Sequence, residues 1–277
     1  MTHKVWFITG TSRGFGREWL LAALERGDKV AATARKLDTL KDIAEKYEST
    51  LLPLELDVTN RAAAASAVDQ AYEHFGQLDV VINNAGYGLF GMVEEVTEAQ
   101  ARAQMETNFF GALWVTQAAL PHLRVQKSGH IIQVSSIGGI TAFPGIGMYH
   151  ASKWALEGFS QSLAQEVRSF GIKVTLIEPG GYETDWGGSS AAHTEPLPAY
   201  DTLRKVVTAG RKAALSRRGD PVATRSAILK VVDAERPPLR VFFGEAPLGM
   251  AKSDYETRLK TWEEWQPVSL EAQGSNA

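Results

Sequence analysis

The stretch KVWFITGTSRGFGREWLLAALERG, residues 4–27, decides how the rest of the chain is read. A short apolar run with β-branched and aromatic residues, 4–9, has the composition of a buried strand. Gly10, Gly14 and Gly16 follow it, and an amphipathic helical period then covers 15–26. A glycine turn between a strand and a helix presents free backbone N–H groups at the positive end of the helix, where an anion is held. Glycine also lets the backbone turn tightly and come close to a pyrophosphate. The spacing here is GxxxGxG, not GxGxxG.

Outward from this turn, strand-like runs recur at 29–34, 51–56, 78–83, 130–136, 173–178 and 239–244. Most are continuously apolar, as parallel strands covered on both faces should be. Amphipathic helices are expected at 15–26, 60–75, 98–127 and 147–170. Strand alternating with helix predicts an α/β fold, a single Rossmann-type doubly wound parallel sheet of about seven strands with helices on both faces. Residues 1–250 are expected to form the dinucleotide-binding and catalytic unit. Residues 251–277 add a helical extension, whose Tyr255, Leu259 and Trp262 recur at the spacing of a core or subunit contact, and a loose tail, SLEAQGSNA.

Composition removes several alternatives. With 277 residues, 44% hydrophobic and 22% charged, the chain suits one large globular domain. Its net charge of -3 supplies no basic field for nucleic acid. The segment 204–219 has six basic and no acidic residues, and reads as a solvated face or as an anion-attracting rim beside a cleft. Zero cysteines exclude disulfides and thiolate metal sites, and the six histidines never fall at metal-ligand spacing. The N-terminal apolar run is too short for a leader or a span and no later segment is long enough, so a cytoplasmic protein without a membrane partner is expected.

The end of the second strand selects the nucleotide. NAD-binding versions of such folds usually place an acid there for the ribose 2′-hydroxyl. AATARK puts Ala34 at that position, followed by Arg35, and Arg13 lies within the glycine turn. Two guanidinium groups and no carboxylate suit a 2′-phosphate, so NADP(H) is expected rather than NAD.

Six motifs in order then carry a resemblance: TGTSRGFG (9–16), NNAG (83–86), Asn108 in TNFFG, Ser136 in VSSIGG, YHASK (149–153) and PGGYET (179–184). Together they resemble the short-chain dehydrogenase/reductase family, to about residue 245. AGYGLFG and EPGGYETDW look like its steroid-dehydrogenase-related branch. The resemblance implies an NADP-dependent oxidoreductase with catalytic Ser136, Tyr149, Lys153 and Asn108, the last fixing a water that links Lys153 to solvent. Lys153 would also donate to the nicotinamide ribose. It also implies cofactor contacts from Gly10, Ser12, Arg13, Gly14, Phe15, Gly16 and Arg35, from Asp57 and Val58, and from Asn84, Ala85 and Gly86. Tyr149, Lys153, Pro179, Gly180, Tyr182 and Thr184 would border the nicotinamide. Many relatives are dimers or tetramers, so a homo-oligomer is expected.

The chemistry of these residue types agrees. Reducing a ketone needs a hydride at carbon and a proton at oxygen, and a nicotinamide supplies only the hydride. Tyr149 and Lys153, at i and i+4, share a helix face. An ammonium about 4 Å away, at an effective dielectric near 20, favours phenolate by about 4 kcal/mol, which would bring tyrosine close to working pH. Ser136 would hold the carbonyl oxygen, and strand alternation turns Ser135 to the other side. His150 should point off this face and serve structure.

Residues 184–202, rich in Gly, Ser and Pro after a strand, are expected to form a substrate lid. Tyr87, Phe90, Ile137, Phe143, Tyr182 and Trp186 are candidate pocket walls, suggesting a hydrophobic ketone, aldehyde or alcohol. Two other readings stay open: a non-catalytic NADP-binding sensor, and a sugar epimerase or dehydratase on a related fold.

Overall fold

The computed structural model describes residues 3–188, 190–213 and 218–274. In chain order, β1 (Val5–Ile8) leads into α1 (Gly14–Glu25), then come β2 (Lys29–Ala34), α2 (Lys41–Lys46), β3 (Leu51–Glu55), α3 (Arg61–Phe75) and β4 (Val80–Asn83). A two-residue strand β5 (Leu89–Phe90) precedes α4 (Glu98–Met105), a π-helical turn (Glu106–Phe110) and α5 (Gly111–Gln126). β6 (Gly129–Val134), α6 (Gly147–Glu166) and β7 (Ile172–Pro179) follow. The last part holds β8 (Ala192–His193), α7 (Asp201–Ala213), α8 (Thr224–Asp233), β9 (Arg240–Phe243), α9 (Ala246–Glu264) and α10 (Gln266–Gln273).

The main sheet is parallel throughout and runs β3-β2-β1-β4-β6-β7-β9. The seven strand runs read from the sequence are its seven strands. Chain order reverses between β1 and β4, and the carboxyl ends there border a crevice. Period-2 alternation divides the core: Trp6 and Ile8 pack on the α1 and α8 side, Val5 and Phe7 on the α3 and α5 side. Each buried indole finds a polar partner, Trp6 Nε1 on Asp28 Oδ2 at 2.8 Å and Trp19 Nε1 on Thr224 Oγ1 at 2.9 Å.

Two expectations change. The stretch 98–127 is not one uniform helix; the π turn interrupts it and carries Asn108 into the interior, 2% exposed. The C-terminal extension is helical, but its apolar stripe is not part of the core of the chain. α9 docks through Pro247 and Ala251, whereas Tyr255, Leu259 and Trp262 face solvent at 47%, 50% and 59% exposure. Helical spacing alone does not say which side of a helix meets the body. The tail remains helical as far as Gln273, with every residue exposed, and Ser275 to Ala277 lie outside the described residues.

Candidate active site

A cleft of about 720 Å³ opens at the carboxyl ends of the central strands. Its walls include Gly10, Ser12, Arg13, Gly14, Phe15, Arg35, Asp57, Val58, Asn84, Ala85, Gly86, Ser136, Tyr149, Lys153, Pro179, Gly180, Tyr182 and Thr184. Of the residues expected from the sequence, Gly16, Asn108 and the candidate pocket residue Phe90 stand behind rather than in the wall.

The glycine turn is as tight as its composition requires. Gly10 and Gly14 have φ of +70° and +58°, a region unfavourable to side chains. A Cβ on Gly16 would run into the Gly10 carbonyl oxygen and stand 2.5 Å from Asn84 Nδ2. Asn84 braces the turn, its Nδ2 donating to Thr9 O and Gly10 O at 3.0 Å each. Thr9, which sequence reasoning missed, completes the brace. Its hydroxyl donates to Ile82 O at 3.3 Å and accepts from Asn84 N and Ala85 N at 2.9 and 3.0 Å. A hydroxyl ending an otherwise apolar run was the available signal.

At the other end of the cleft, Ala34 is buried and Arg35 is exposed at the rim. Among the described residues no carboxylate pairs with Arg35. Arg13 also lines the cleft, and its guanidinium pairs with Asp185 across the mouth. Asp57 closes a turn by accepting from Thr59 N and Oγ1 at 3.0 and 2.8 Å. A close-approach glycine turn at a helix N-terminus, an open guanidinium and the missing acid fit a phosphorylated dinucleotide.

On α6, Tyr149 and Lys153 are both buried and both face the cleft. Ser136 Oγ accepts from Gly138 N at 3.0 Å, and its hydroxyl faces the Tyr149 phenol and works against the rise that burial imposes on it. Ser135 turns away to the Glu157 side, as alternation predicts. Lys153 Nζ donates to Val134 O at 2.7 Å and lies 5.7 Å from the Tyr149 ring centre. The expected acidification of tyrosine is not found in the protein's own groups. Burial pushes Tyr149 up to about 12, with Ser136 opposing, and burial pushes Lys153 down to about 8, with the Glu157 carboxylate opposing. Desolvation by burial dominates both groups, and the ammonium is anchored on the β6 carbonyl.

Asn108 clamps the loop after NNAG. Its Nδ2 donates to Tyr87 O at 3.0 Å and Ser152 Oγ at 3.1 Å, and its Oδ1 accepts from Tyr87 N at 3.0 Å. Its side chain therefore positions the loop over Lys153. His150 is structural, as expected: Nδ1 bonds Gly138 O at 2.7 Å, Nε2 accepts from Phe143 N at 2.8 Å, and burial lowers its pKa.

The segment after β7 covers this face. Trp186 packs edge-on to Tyr149 and to Phe90, with centroids 4.9 and 5.3 Å away. Phe15 meets Tyr182 edge-on at 4.9 Å. β8 pairs with β5 in parallel. Glu95, its side chain 0% exposed, ties the segment down. It accepts from Met92 N at 2.8 Å, Thr194 Oγ1 at 3.0 Å, Leu197 N at 2.9 Å and the Arg204 guanidinium. Arg204 first, then the amides, holds this carboxyl down to about 2. In sequence Glu95 is indistinguishable from its neighbour Glu94. The basic segment thus divides: Arg204 is structural, Arg211 stacks over Phe90 at 4.6 Å, Arg218 lines the cleft, and Arg217 lies outside the described residues.

Residues 4–195 match the short chain dehydrogenase family. The chain is 44% identical over 269 residues to Oxidoreductase BOA17 of Botryotinia fuckeliana (strain B05.10), covering 96% of this chain and 98% of that one. A short-chain dehydrogenase from Streptomyces avermitilis superposes with a TM-score of 0.89 at 36% identity, over 98% of both chains. A short chain dehydrogenase from Burkholderia cenocepacia J2315, solved in complex with NADP, has a TM-score of 0.75 at 27% identity, over 95% of this chain and 97% of that one. The chain belongs to the short-chain dehydrogenase family and is a nicotinamide-dependent oxidoreductase. Among the described residues no helix is long and apolar enough to cross a membrane.

Proposed function

We propose that this enzyme is an NADP(H)-dependent reductase of a hydrophobic ketone or aldehyde, running in reverse as an alcohol dehydrogenase. The observation that carries this reading is the meeting of the Tyr149 phenol and the Ser136 hydroxyl in a cleft walled by Phe143, Ile146 and Trp186. The choice of NADP(H) rests on Arg35 beside Ala34, and the Burkholderia cenocepacia neighbour in complex with NADP supports it. Gly10, Ser12, Gly14, Phe15 and Gly16 would hold the pyrophosphate, Arg35 and Arg13 the 2′-phosphate, and Asp57 with Val58 the adenine. Asn84 to Gly86 would lie along the adenosine ribose, and Pro179, Gly180, Tyr182 and Thr184 around the nicotinamide.

When bound, the reduced nicotinamide supplies a hydride to the carbonyl carbon. Tyr149 gives its proton to the carbonyl oxygen, and Ser136 donates a hydrogen bond to the same oxygen. A phenol held at about 12 is protonated at neutral pH, the state that donation requires. Lys153 orients the ribose and stabilises the phenolate left behind, with Asn108 fixing the loop above it. Trp186 excludes water from the reacting atoms. We take the working form to be a cytoplasmic homo-oligomer, an assembly that the exposed apolar side of α9 favours.

NADPH and NADH oxidation measured against a panel of aromatic and long-chain aliphatic ketones tests the proposal. NADPH-linked turnover is expected. Binding without turnover indicates a sensor instead, and conversion without net NADPH oxidation indicates an epimerase.

A further inference from the structure

One turn beyond Lys153 on α6, Glu157 directs its carboxylate inward, where it meets Glu178 of β7. Their side chains are 7% and 0% exposed. One cation serves both: Arg240 Nε of β9 lies 2.9 Å from Glu157 Oε2 and 3.4 Å from Glu178 Oε1. The guanidinium's Nη2 donates to Gln161 Oε1 at 2.9 Å. Ser135 Oγ, Glu157 Oε1 and both oxygens of Glu178 are buried without a hydrogen-bond partner among the described residues. Ser135 Oγ and Glu157 Oε1 close over Gly139, where a Cβ would stand 2.6 and 3.1 Å from them. Two buried carboxylates facing one guanidinium repel each other, and a proton between them turns that repulsion into a hydrogen bond.

We propose that Glu157 and Glu178 share one proton, and that the single negative charge left on the pair keeps Lys153 an ammonium, so that both are positioning residues for the catalytic lysine. This rests on the reductase reading above. Glu178 is pushed up to about 8, first by burial and then by the Glu157 charge, so it carries the proton at neutral pH. Glu157 is one helical turn from Lys153 and its charge opposes the burial that lowers the lysine. The groups facing the pair are Lys153 from α6, Arg240 from β9 and the Ser135 hydroxyl from the end of β6. Among the described residues no other charged group forms an ion pair with either carboxylate.

The sign of the coupling follows. At neutral pH the pair carries one negative charge. As pH rises through about 8 Glu178 releases its proton, and a second negative charge develops as Lys153 begins to deprotonate. The lysine therefore keeps its proton further into the alkaline range than burial alone allows.

Infrared spectroscopy of the ligand-free wild-type protein reads the shared proton directly. A carboxylic acid carbonyl band should persist at pH 7, vanish as pH passes about 8, and be missing in Glu178→Gln; its absence from the wild type at pH 7 overturns the proposal. The second readout is the pH profile of kcat/KM. In the doubly substituted Glu157→Gln, Glu178→Gln enzyme the alkaline limb should move down by about one unit, roughly a tenfold loss along that limb. An unmoved limb, in a variant with native circular dichroism and NADPH binding, also overturns it. A wild type with no turnover counts against the reductase reading instead, while the infrared band still decides the pair.

Discussion

The Trp186 indole stands edge-on to the Tyr149 ring, with centroids 4.9 Å apart and planes at 61°. The residue proposed as proton donor is therefore covered by a side chain from the segment proposed as the substrate lid. This contact contributes to the burial that raises the Tyr149 pKa.

Trp186→Ala should uncover the phenol and remove an aromatic wall. Loss of an edge-to-face contact of about 1 kcal/mol, together with apolar area for the substrate, should raise KM for an aromatic ketone roughly tenfold. Steady-state kinetics over pH checks the second half of the expectation, a Tyr149 ionisation displaced towards lower pH. An unaltered KM and profile would mean that the indole covers nothing the substrate uses.

Tyr149→Phe keeps the ring against Trp186 and deletes the proton donor. A loss of about 10²- to 10⁴-fold in kcat is expected, with NADPH affinity within threefold of wild type by fluorescence titration. Turnover near the wild-type rate would remove Tyr149 from the chemistry.

Arg35→Asp places a carboxylate at the end of β2, where Ala34 leaves none. The ratio of kcat/KM for NADPH over NADH should fall by about 10²-fold, since a charge-assisted bond of roughly 2 kcal/mol is replaced by repulsion. Cofactor competition assays measure that ratio, and an unchanged value would place the 2′-phosphate elsewhere.

Glu95 predicts an acid-sensitive lid. Its folded pKa of about 2 lies below the ordinary carboxylate value, so its stabilising contribution is complete above about pH 4.5 and fades as pH falls towards 2. Hydrogen exchange over residues 192–204 should accelerate through that window, and Glu95→Gln should show the faster exchange already at pH 7. Equal protection in both proteins at neutral pH would contradict this role.

Much of this was legible in advance because it depends on local periodicity. The strand runs, the glycine turn and the Tyr149–Lys153 face rest on spacings of two and four residues, which are properties of the chain itself. Alternation puts Ser135 and Ser136 on opposite faces, and the choice of Ser136 comes from the family resemblance, which sets the serine thirteen residues before Tyr149. What escaped depends on distance in space. Glu95 gains its importance from Arg204 and Leu197, far along the chain, and nothing beside it differs from Glu94. The pairing of Arg13 with Asp185 across the cleft mouth joins residues far apart in the chain, and the sequence does not display it. The acidity of Tyr149 was misjudged because the sequence displays a neighbouring charge but not the depth of burial. The stripe of Tyr255, Leu259 and Trp262 shows amphipathicity, whereas the side that docks is set by Pro247 and Ala251.

The short ribbon of β5 with β8 has a mechanical consequence. Leu89 and Phe90 pair with Ala192 and His193, and Tyr87, two residues upstream, is gripped by Asn108. Any displacement of the β8 strand would therefore be passed through β5 to the peptide that roofs Lys153. The proposed cover and the proposed catalytic floor are mechanically joined, so a shift in one would be felt in the other.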